Sequence, residues 1–444
     1  MKLNNKRTLL VGFAFLSICA FWQMYDNVVP LILTNTFHMN ETYSGAIMAA
    51  DNVLALFLLP FFGALSDKTE TKIGKRMPYI LFGTGCAIIL MNLLPMLDNG
   101  YFSAPSGLKL ASFVIVLGLL LVAMGLYRSP AVALMPDVTP KPLRSKANAI
   151  INLMGAVGGI IYLGVAAVLY PNSKTEGLLH IDYQILFVVV SAIMFIAVGL
   201  LFLTIKEPKL AAENKEIEAQ HPEWNLAEEG EGGSEILPAA VKKSLGFLLA
   251  SIALWFVGYN AVTTWFTTYI SNVMGQGLGG ASKCLLVATA GAIVSYIPIG
   301  QIASKIGRKR TIMGGCIVLA CCFAIGGVLT TSMKSINLIM YIVFALVGFA
   351  WAAINVNSLP MVVEMCKGSD VGKFTGYYYT ASMAAQVATP IAAGTLMRSV
   401  SYKMLFPYAA FFVACSFVTM CFVRHGDAKA EAKKGLAAYE EMDD

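Results

Sequence analysis

The sequence predicts an all-α membrane protein with about twelve transmembrane helices in two pseudo-symmetric six-helix bundles. Three observations predict this fold class: the composition, the number of long apolar runs and an internal repeat. Of the 444 residues, 57% are hydrophobic and 13% are charged, whereas soluble domains contain about 45–50% apolar and about 25% charged residues. Because most charged residues lie between apolar runs, the net charge of +6 indicates orientation in a membrane rather than nucleic-acid binding.

Apolar runs of about 20 residues, each long enough to cross a hydrocarbon core about 30 Å thick, recur about twelve times. The first run is too long for the core of a signal peptide and therefore predicts the first helix. The runs lie near 8–34, 43–65, 77–97, 108–135, 147–170, 183–205, 244–271, 281–303, 311–330, 336–362, 374–396 and 404–423.

The basic residues predict the orientation of these spans. When the loops are assigned alternately to the two sides, one side receives 25 of the 32 Lys and Arg residues and the other receives six. Loops rich in Lys and Arg stay in the cytoplasm. We therefore expect a multi-pass protein of the cell (plasma) membrane with both termini cytoplasmic.

One polar segment divides the spans into two groups of six. It is rich in Glu, Gly and Ala, a composition that cannot bury a core and predicts a flexible or partly helical linker. The predicted organisation is an N-terminal six-helix bundle over 1–205, a cytoplasmic linker over 206–243, a C-terminal six-helix bundle over 244–423 and a cytoplasmic tail over 424–444.

Two loop motifs occur once in each half of the chain. GALSDKTETKIGKR follows the second span and GQIASKIGRKR follows the eighth, while ALMPD ends span four and SLPMVVE ends span ten. The two copies are offset by roughly 230 residues. Tandem six-helix halves are typical of secondary transporters, with the substrate site between the halves.

On these motifs the chain resembles the major facilitator superfamily. The four-residue insertion in the first loop and the ALMPD segment resemble the corresponding features of glycoside–pentoside–hexuronide:cation symporters and of the related sucrose–proton symporters. The resemblance covers roughly 8–423 and implies a major facilitator fold with transport by alternating access. It also implies that Asp67 and Arg76 act as a gate, because the matching aspartate stabilises the outward-open state in the superfamily.

The second loop copy departs from the family pattern, since Ser304 stands where Asp67 has its counterpart. Any gate in the C-terminal half should then be weaker. Asp137 and Glu364 are expected to pair with the basic residues of these loops, the alternative being that they are simple interfacial charges. The predicted gating residues are Gly63, Asp67, Arg76, Asp137, Arg308 and Glu364.

Three ionisable residues, Asp26, Asp51 and Arg128, lie well inside apolar spans. Each costs about 2.5–3.5 kcal/mol at a helix centre, so such residues face a bundle interior, pair with one another or line a watery cavity. They are the predicted proton-coupling residues, with a structural ion pair as the alternative. An arginine that functions in sucrose-type relatives matches Val132 here, one turn after Arg128.

Polar and aromatic residues share helix faces in several spans. Gln23, Asp26 and Asn27 fall on one face of span one. Such side chains suit a sugar, because flat rings pack on pyranose faces while amides and carboxylates bind hydroxyls. The alternative for each Trp is ordinary core packing. The predicted substrate-binding residues are Gln23, Asp26, Asn27, Asn52, Asn152, Trp255, Tyr259, Asn260, Trp351, Asn355 and Gln386.

The coupling ion is expected to be the proton. All four histidines lie in loops or the tail, so Asp26 and Asp51 are the candidates to carry it. Sodium-coupled relatives place two aspartates one turn apart on the second helix, whereas here Ala55 follows Asp51 by one turn, which makes sodium the less favoured ion.

The nine cysteines form no C-x-x-C pair, and no catalytic or metal-ligand set is visible. We therefore expect that the protein binds no metal or cofactor and is not an enzyme.

The sequence thus predicts a proton-coupled symporter that imports a glycoside such as a disaccharide. The expected partners are this small molecule and the lipid bilayer, with no nucleic acid and with function as a monomer. One alternative keeps the fold and reverses the direction: a proton-coupled antiporter that exports amphipathic small molecules. Another is a membrane receptor or lipid-moving protein without coupled transport.

Overall fold

The computed structural model describes residues 3–221, 238–333, 335–365 and 371–427. Within these ranges the chain forms twelve helices of 17 or more residues together with shorter ones. Their bounds are α1 Asn5–Leu31, α2 Glu41–Asp67, α3 Met77–Ser103, α4 Gly107–Asp137, α5 Arg144–Leu169, α6 Asn172–Thr175, α7 Gln184–Thr204, α8 Glu207–Ala219, α9 Ala239–Met274, α10 Leu278–Ile306, α11 Arg308–Ser332, α12 Leu338–Val363, α13 Val371–Ser399 and α14 Leu405–Cys421.

Eleven of the described helices are long and apolar enough to cross a membrane. The twelfth long helix, α13, is less apolar because its first half carries the run KFTGYYYTAS. The helices agree with the predicted spans and confirm an all-α fold with about twelve membrane helices. A π-helical turn, Ile32–Thr36, continues α1.

The described residues fall into two compact units, one with 3–39 and 50–221 and the other with 40–49 and the ranges from 238 to 427. In the first unit α1 packs against α5 and α7, and α3 packs against α4 and α7. In the second unit α9 packs against α13 and α14, and α11 packs against α12 and α14. In both units the first membrane helix therefore packs against the fifth and sixth, and the third against the fourth and sixth, as expected of an internal repeat.

Close backbone approach holds the helices of each unit together. On α5, a side chain at Gly158 would collide with the backbone of Leu16 on α1. On α12, a side chain at Gly348 would collide in the same way with Ala288 on α10. Small residues at such crossings allow the helices to pack densely. Inside a membrane this van der Waals packing drives helix association, because the hydrophobic effect does not act between helices in lipid.

Part of the segment predicted as a linker is the helix α8, and α9 begins at Ala239, five residues before the predicted span at 244. Residues 222–237 of the predicted linker and 428–444 of the predicted tail lie outside the described residues. One face of α8 packs against the protein. Glu207 and Asn214 on this face are buried and Leu210 and Glu218 are half-buried, and the four positions recur with the spacing of a helix packed on one side.

Candidate functional site

The carboxylates of α1 and α2 approach each other inside the first unit. Asp26 and Asp51 are both half-buried and interact electrostatically. Asp51 also interacts with Arg128 on α4. Its carboxylate accepts hydrogen bonds from the backbone N–H of Asn52 at 2.6 Å and from Nδ2 of the same residue at 2.9 Å. The structure thus brings together the three ionisable residues predicted from the sequence.

Contacts between α2 and α4 set this arrangement. The Ser129 hydroxyl donates to the carbonyl of Leu59 at 2.7 Å. One turn away, a Cβ atom at Gly125 would lie 3.3 Å from the Leu58 side chain, so the two helices pack tightly. Arg128, which directly precedes Ser129 in the sequence, lines the same cleft as Asp51.

This cleft lies between α1, α2 and α4 and has about 20 Å³ of room, enough for a water molecule. The carbon of the Arg128 guanidinium lies 6.0 Å from the centroid of the Trp22 ring, within the range of a cation–π contact. The lining residues are Trp22, Asp51, Leu54, Ala55, Leu58, Leu59, Leu121, Gly125 and Arg128. Trp22 was not among the predicted site residues, although its position one turn before Asp26 places both on one face of α1.

The other polar residues of the first unit lie beside this cleft or behind it. Asn27 is buried and donates from Nδ2 to the carbonyl of Gln23 at 2.7 Å. Gln23 faces Gly159 on α5, where a Cβ atom would lie 3.3 Å from its side chain. Asn152 on α5 is also buried. The polar stripe predicted on α1 is therefore turned partly towards α5.

An aromatic stack marks the second unit. Tyr259 on α9 and Trp351 on α12 lie parallel, with centroids 3.7 Å apart and an interplanar angle of 4°. Phe256 meets the same indole edge-on at 5.4 Å. Asn260, next to Tyr259, has a buried Nδ2 without a hydrogen-bond partner among the described residues. Two predicted residues, Tyr259 and Trp351, are thus in direct contact.

The remaining predicted residues of this unit differ in exposure. Trp255 is 0% exposed and belongs to the hydrophobic core, which matches the packing alternative. Asn355 on α12 is buried, and Gln386 on α13 is half-buried. Their roles in binding stay predictions.

The predicted gating residues of the first half form one ionic cluster. The Arg76 guanidinium, 4% exposed, donates from Nε to Asp137 at 2.7 Å and pairs with Asp67 through Nη2. It also reaches the Gly63 carbonyl at 3.4 Å, and Lys75 pairs with Asp137 at 3.2 Å. Burial alone would lower the pKa of Arg76, but hydrogen bonds and charge from Asp137 and Asp67 raise it instead. The gating role of this cluster stays a prediction.

The second half has a reduced version of this cluster. Arg308 pairs with Glu364. Ser304 donates to the carbonyl of Gln301 at 2.8 Å and supplies no carboxylate. The difference from Asp67 that the sequence indicates is therefore visible as a missing ionic partner at this position.

Two capping carboxylates were missed by the sequence reasoning. Glu207, 1% exposed, accepts hydrogen bonds at the start of α3 from the backbone N–H groups of Lys75, Arg76 and Met77 at 2.8–2.9 Å. Asp427 accepts at the start of α11 from the N–H of Lys309 at 2.8 Å. Negative charge is favoured at a helix N-terminus. An acidic residue shortly after the sixth span of each half was the signal in the sequence.

Glycines make room for these caps. Gly74 has a φ of +116° and Gly307 a φ of +94°, values that favour glycine. A side chain at Gly74 would also collide with the Glu207 carboxylate.

The rest of α8 is fixed on the same end of the first unit. Asn214 donates to the Asp137 carbonyl at the end of α4 at 3.2 Å. Glu218 pairs with Arg144 at 2.9 Å and accepts from the N–H of Lys141 at 3.2 Å. Within the described residues, no group of three or more His, Cys, Asp or Glu side chains is placed to hold a metal ion.

Parts of the chain are similar to characterised transport proteins. A stretch of 146 residues is 30% identical to a sucrose transport protein of Arabidopsis thaliana and covers 30% of this chain and 24% of that relative. A stretch of 178 residues is 28% identical to the alpha-ketoglutarate permease of Escherichia coli strain K12 and covers 39% of this chain and 38% of that relative. The chain therefore spans well under half the length of these relatives.

Solved structures match over nearly the whole chain. The nucleoside transporter NupG gives a TM-score of 0.68 at 12% identity and covers 94% of this chain and 100% of its own. The inward-open xylose transporter XylE from E. coli gives 0.66 at 15% identity and covers 95% and 96%. At these identities the likeness establishes the fold.

The sequence model described as Major Facilitator Superfamily matches residues 11–330 and 284–440. The chain is therefore a multi-pass membrane transporter, not an enzyme, and belongs to the Major Facilitator Superfamily.

Proposed function

We propose that this protein is a proton-coupled symporter that imports a glycoside such as a disaccharide. The observation that carries the proposal is the pair of intramembrane carboxylates, Asp26 and Asp51, which interact with each other. A proton-driven carrier needs a group inside the membrane that gains and loses a proton, and all four histidines lie outside the membrane helices. Carboxylates in transporters of this kind serve as proton relays.

Proximity of the two carboxylates couples their charges. When both are ionised they repel each other, so a proton on either one removes the repulsion. Arg128 adds a positive charge that interacts with Asp51 and favours its ionised form. Of the two carboxylates, Asp26 is therefore the one that takes up a proton more readily. We therefore assign the coupling proton to Asp26, with Asp51 and Arg128 setting its surroundings.

A sugar fits the remaining chemistry. The stacked rings of Tyr259 and Trp351 offer a flat apolar surface for a pyranose face. Buried donors that have no acceptor among the described residues, Trp22 Nε1 and Asn260 Nδ2, suit sugar hydroxyls. Similarity to sucrose transport proteins over part of the chain supports the same substrate class.

A second candidate is the proton-coupled export of amphipathic small molecules. The observation that favours it is the apolar part of the cleft lining, to which Leu54, Leu58, Leu59 and Leu121 contribute beside the charged residues. Sodium coupling has less support, because Ala55 lines the cleft one turn after Asp51 and brings no second carboxylate.

The test is solid-supported-membrane electrophysiology on purified protein in liposomes. Concentration jumps of mono- and disaccharides are applied in sodium-free buffer at several pH values. We expect a pH-dependent inward current for one sugar class, lost in Asp26→Asn and kept in the matched control Glu213→Gln, whose side chain is exposed on α8.

Other results would point elsewhere. A fully active Asp26→Asn variant would sink the assignment of the proton to this residue. A current that requires sodium would replace the coupling ion. No current for any sugar, together with proton-driven efflux of amphipathic dyes, would favour the exporter.

A further inference from the structure

A polar cluster at one end of the first unit joins the end of α1, the end of α3 and the segment before α7. His180, in that segment, stacks on Phe102 of α3 with ring centroids 4.4 Å apart and an interplanar angle of 11°. Its Nε2 lies 2.7 Å from Asn99 Oδ1. Because the Asn99 amide donates to Asp182 at 2.8 Å, its oxygen faces the ring and His180 Nε2 carries the hydrogen. In the neutral imidazole Nδ1 is then an acceptor.

The Thr36 hydroxyl lies between the two titratable side chains of this cluster. Thr36 is buried and ends the π-helical turn that continues α1. Its Oγ1 lies 3.4 Å from His180 Nδ1, and its side chain is also hydrogen-bonded to the carboxyl group of Asp98 on α3. Asp98 is 0% exposed, and its Oδ2 lies 3.8 Å from His180 Nε2, too far for a hydrogen bond. The hydroxyl therefore connects the acid to the imidazole.

The hydrogens of this connection can be counted. A hydroxyl carries one hydrogen and donates it to one acceptor at a time. If Asp98 were ionised while His180 is neutral, the carboxylate and Nδ1 would both be acceptors and would compete for the hydrogen of Thr36. The acceptor that loses this competition would have no donor within the connection. A buried acceptor without a donor is costly, and a buried ionised carboxylate is more costly still.

One additional proton completes both hydrogen bonds. If Asp98 holds it, the acid donates to the Thr36 oxygen and Thr36 donates to His180 Nδ1. If His180 holds it, Nδ1 donates to Thr36 and Thr36 donates to the carboxylate. A second additional proton would turn both neighbours into donors and leave the hydroxyl hydrogen without an acceptor. The cluster therefore fits a single proton.

The surroundings of the two groups indicate which of them holds the proton. Asp182 is exposed beside the imidazole and favours its charged form. Burial has the larger effect and lowers the pKa of His180. The neutral imidazole is thus favoured, and Asp98 is the better carrier.

The other titratable groups packed around the cluster provide no cation for Asp98. Tyr183, directly before α7, is buried and interacts electrostatically with the acid. The Tyr170 hydroxyl donates to the carbonyl of Asp182 at 2.9 Å. Lys109, near the start of α4, donates to two carbonyls at the end of α3 at 2.7 and 2.8 Å. Its ammonium group is therefore bonded to the backbone rather than to an acid.

We propose that Asp98, Thr36 and His180 form a proton-binding site that holds one proton and acts as a pH-dependent latch on the end of α1. While the proton is held, the Thr36 hydroxyl connects the π-helical turn to both α3 and the segment before α7. When the pH rises and the proton leaves, one of these two connections is lost. Because α1 also carries Asp26, the latch determines how firmly a helix of the candidate site is held at its end. The inference does not depend on which solute the protein carries.

Counting the bound proton tests the site. Infrared difference spectra between the unmodified protein and Asp98→Asn report whether Asp98 is a carboxylic acid, and nitrogen NMR of histidine-labelled protein reports the charge and tautomer of His180. Slightly below neutral pH we expect a protonated Asp98 together with a neutral His180 whose hydrogen is on Nε2. An ionised Asp98 beside a charged His180 would still be one bound proton and would support the site. An ionised Asp98 beside a neutral His180, or protonation of both, would overturn it.

Hydrogen–deuterium exchange tests the latch. The peptide covering 32–39 is followed slightly below neutral pH and in alkaline medium, with its rates corrected for the intrinsic effect of pH. We expect its protection to fall about fivefold in alkaline medium, the factor that corresponds to one lost hydrogen bond. Asp98→Asn, whose amide can donate to Thr36 at every pH, should keep the protection, whereas Thr36→Val should lack it at both pH values.

Thr34→Val is the matched control for this exchange experiment. The Thr34 hydroxyl donates to the Pro30 carbonyl of its own helix at 2.8 Å, so this variant should follow the unmodified protein at both pH values. Protection of 32–39 that does not change with pH in the unmodified protein would overturn the latch. The same loss of protection in Asp98→Asn as in the unmodified protein would also overturn it, because that variant has no acid at this position to lose a proton.

Discussion

At the scale of single residues, two side chains of the same type can have different roles because they differ in burial. Trp255 and Trp351 are both tryptophans that the sequence placed in the binding site, yet one is fully buried in the core and the other stacks on Tyr259. Helical spacing predicts that residues share a face, but it does not say whether that face meets a neighbouring helix or a cavity. The stacked Trp351 is the better candidate for substrate contact.

We expect Trp351→Ala to raise the half-saturating sugar concentration by up to about tenfold, because one aromatic contact contributes about 0.5–1.5 kcal/mol. The measurement is the transport current of the responding sugar as a function of its concentration. Phe411→Ala, which removes an exposed ring in α14, is the matched control. An unchanged half-saturating concentration would remove Trp351 from the site.

The His180 imidazole should titrate below its ordinary pKa of about 6.5, since burial disfavours the charged form. Its contribution to stability is therefore fully present above about 6.5 and is lost as the pH falls through the lowered value in the folded protein. NMR of histidine-labelled protein measures the titration, with His180→Gln assigning the resonance. Titration above about 6.5 would show that the neighbouring acids, Asp182 and Asp98, outweigh burial.

At the scale of elements, the sequence predicted the membrane helices well and the segments between them less well. Twenty apolar residues have few alternatives to a helix in lipid, because every backbone group must be bonded internally. The helix α8 lacks such a signal. Its buried face carries Glu207, Asn214 and Glu218, polar residues whose partners lie far away in the sequence. Composition alone could not distinguish this docked helix from a solvated linker.

The site was predictable to a similar degree. Ionisable residues in apolar runs identified Asp26, Asp51 and Arg128, because charges there are costly without a function or a partner. Trp22 and the caps Glu207 and Asp427 were missed, since ordinary tryptophans and loop acids are common. Only the fold shows that a loop acid accepts hydrogen bonds at the start of a distant helix.

Helix capping leads to a paired prediction. We expect Glu207→Ala to lower the free energy of unfolding by about 1–3 kcal/mol, because three N–H groups at the start of α3, two of them buried, lose their acceptor. Asp427→Ala should have a smaller effect, since one N–H of α11 is capped. Thermal unfolding in detergent measures both. Glu213→Ala, an exposed control on α8, should change stability by less than about 0.5 kcal/mol, and an equal loss in this variant would refute the capping argument.

At the scale of the whole molecule, the repeat seen in the loops extends to the packing and to the caps. The first and third membrane helices have corresponding neighbours in the two units, and a carboxylate after the sixth membrane helix caps the third helix of each half. The gating cluster breaks this equivalence, because Arg76 joins two carboxylates whereas Ser304 replaces one of them in the second half.

The distribution of basic residues predicts the orientation of the whole chain. We expect a fluorescent protein fused after the last residue to fluoresce in bacterial cells and an alkaline phosphatase fused there to be inactive, because both results require a cytoplasmic C-terminus. A matched fusion in the loop between α3 and α4 should behave in the opposite way. An active phosphatase at the C-terminus would show that the predicted topology is inverted.

The docking of α8 also determines where the chain could be divided into two co-expressed fragments. A break at residue 206 would remove from the N-terminal fragment the acid that caps α3 and the contacts that tie α8 to α4 and α5. A break after residue 221 would keep all of them in one polypeptide. Reassembly of an intact carrier from separate halves should therefore tolerate the later break and fail at the earlier one, even though both fall in what reads as a single polar spacer.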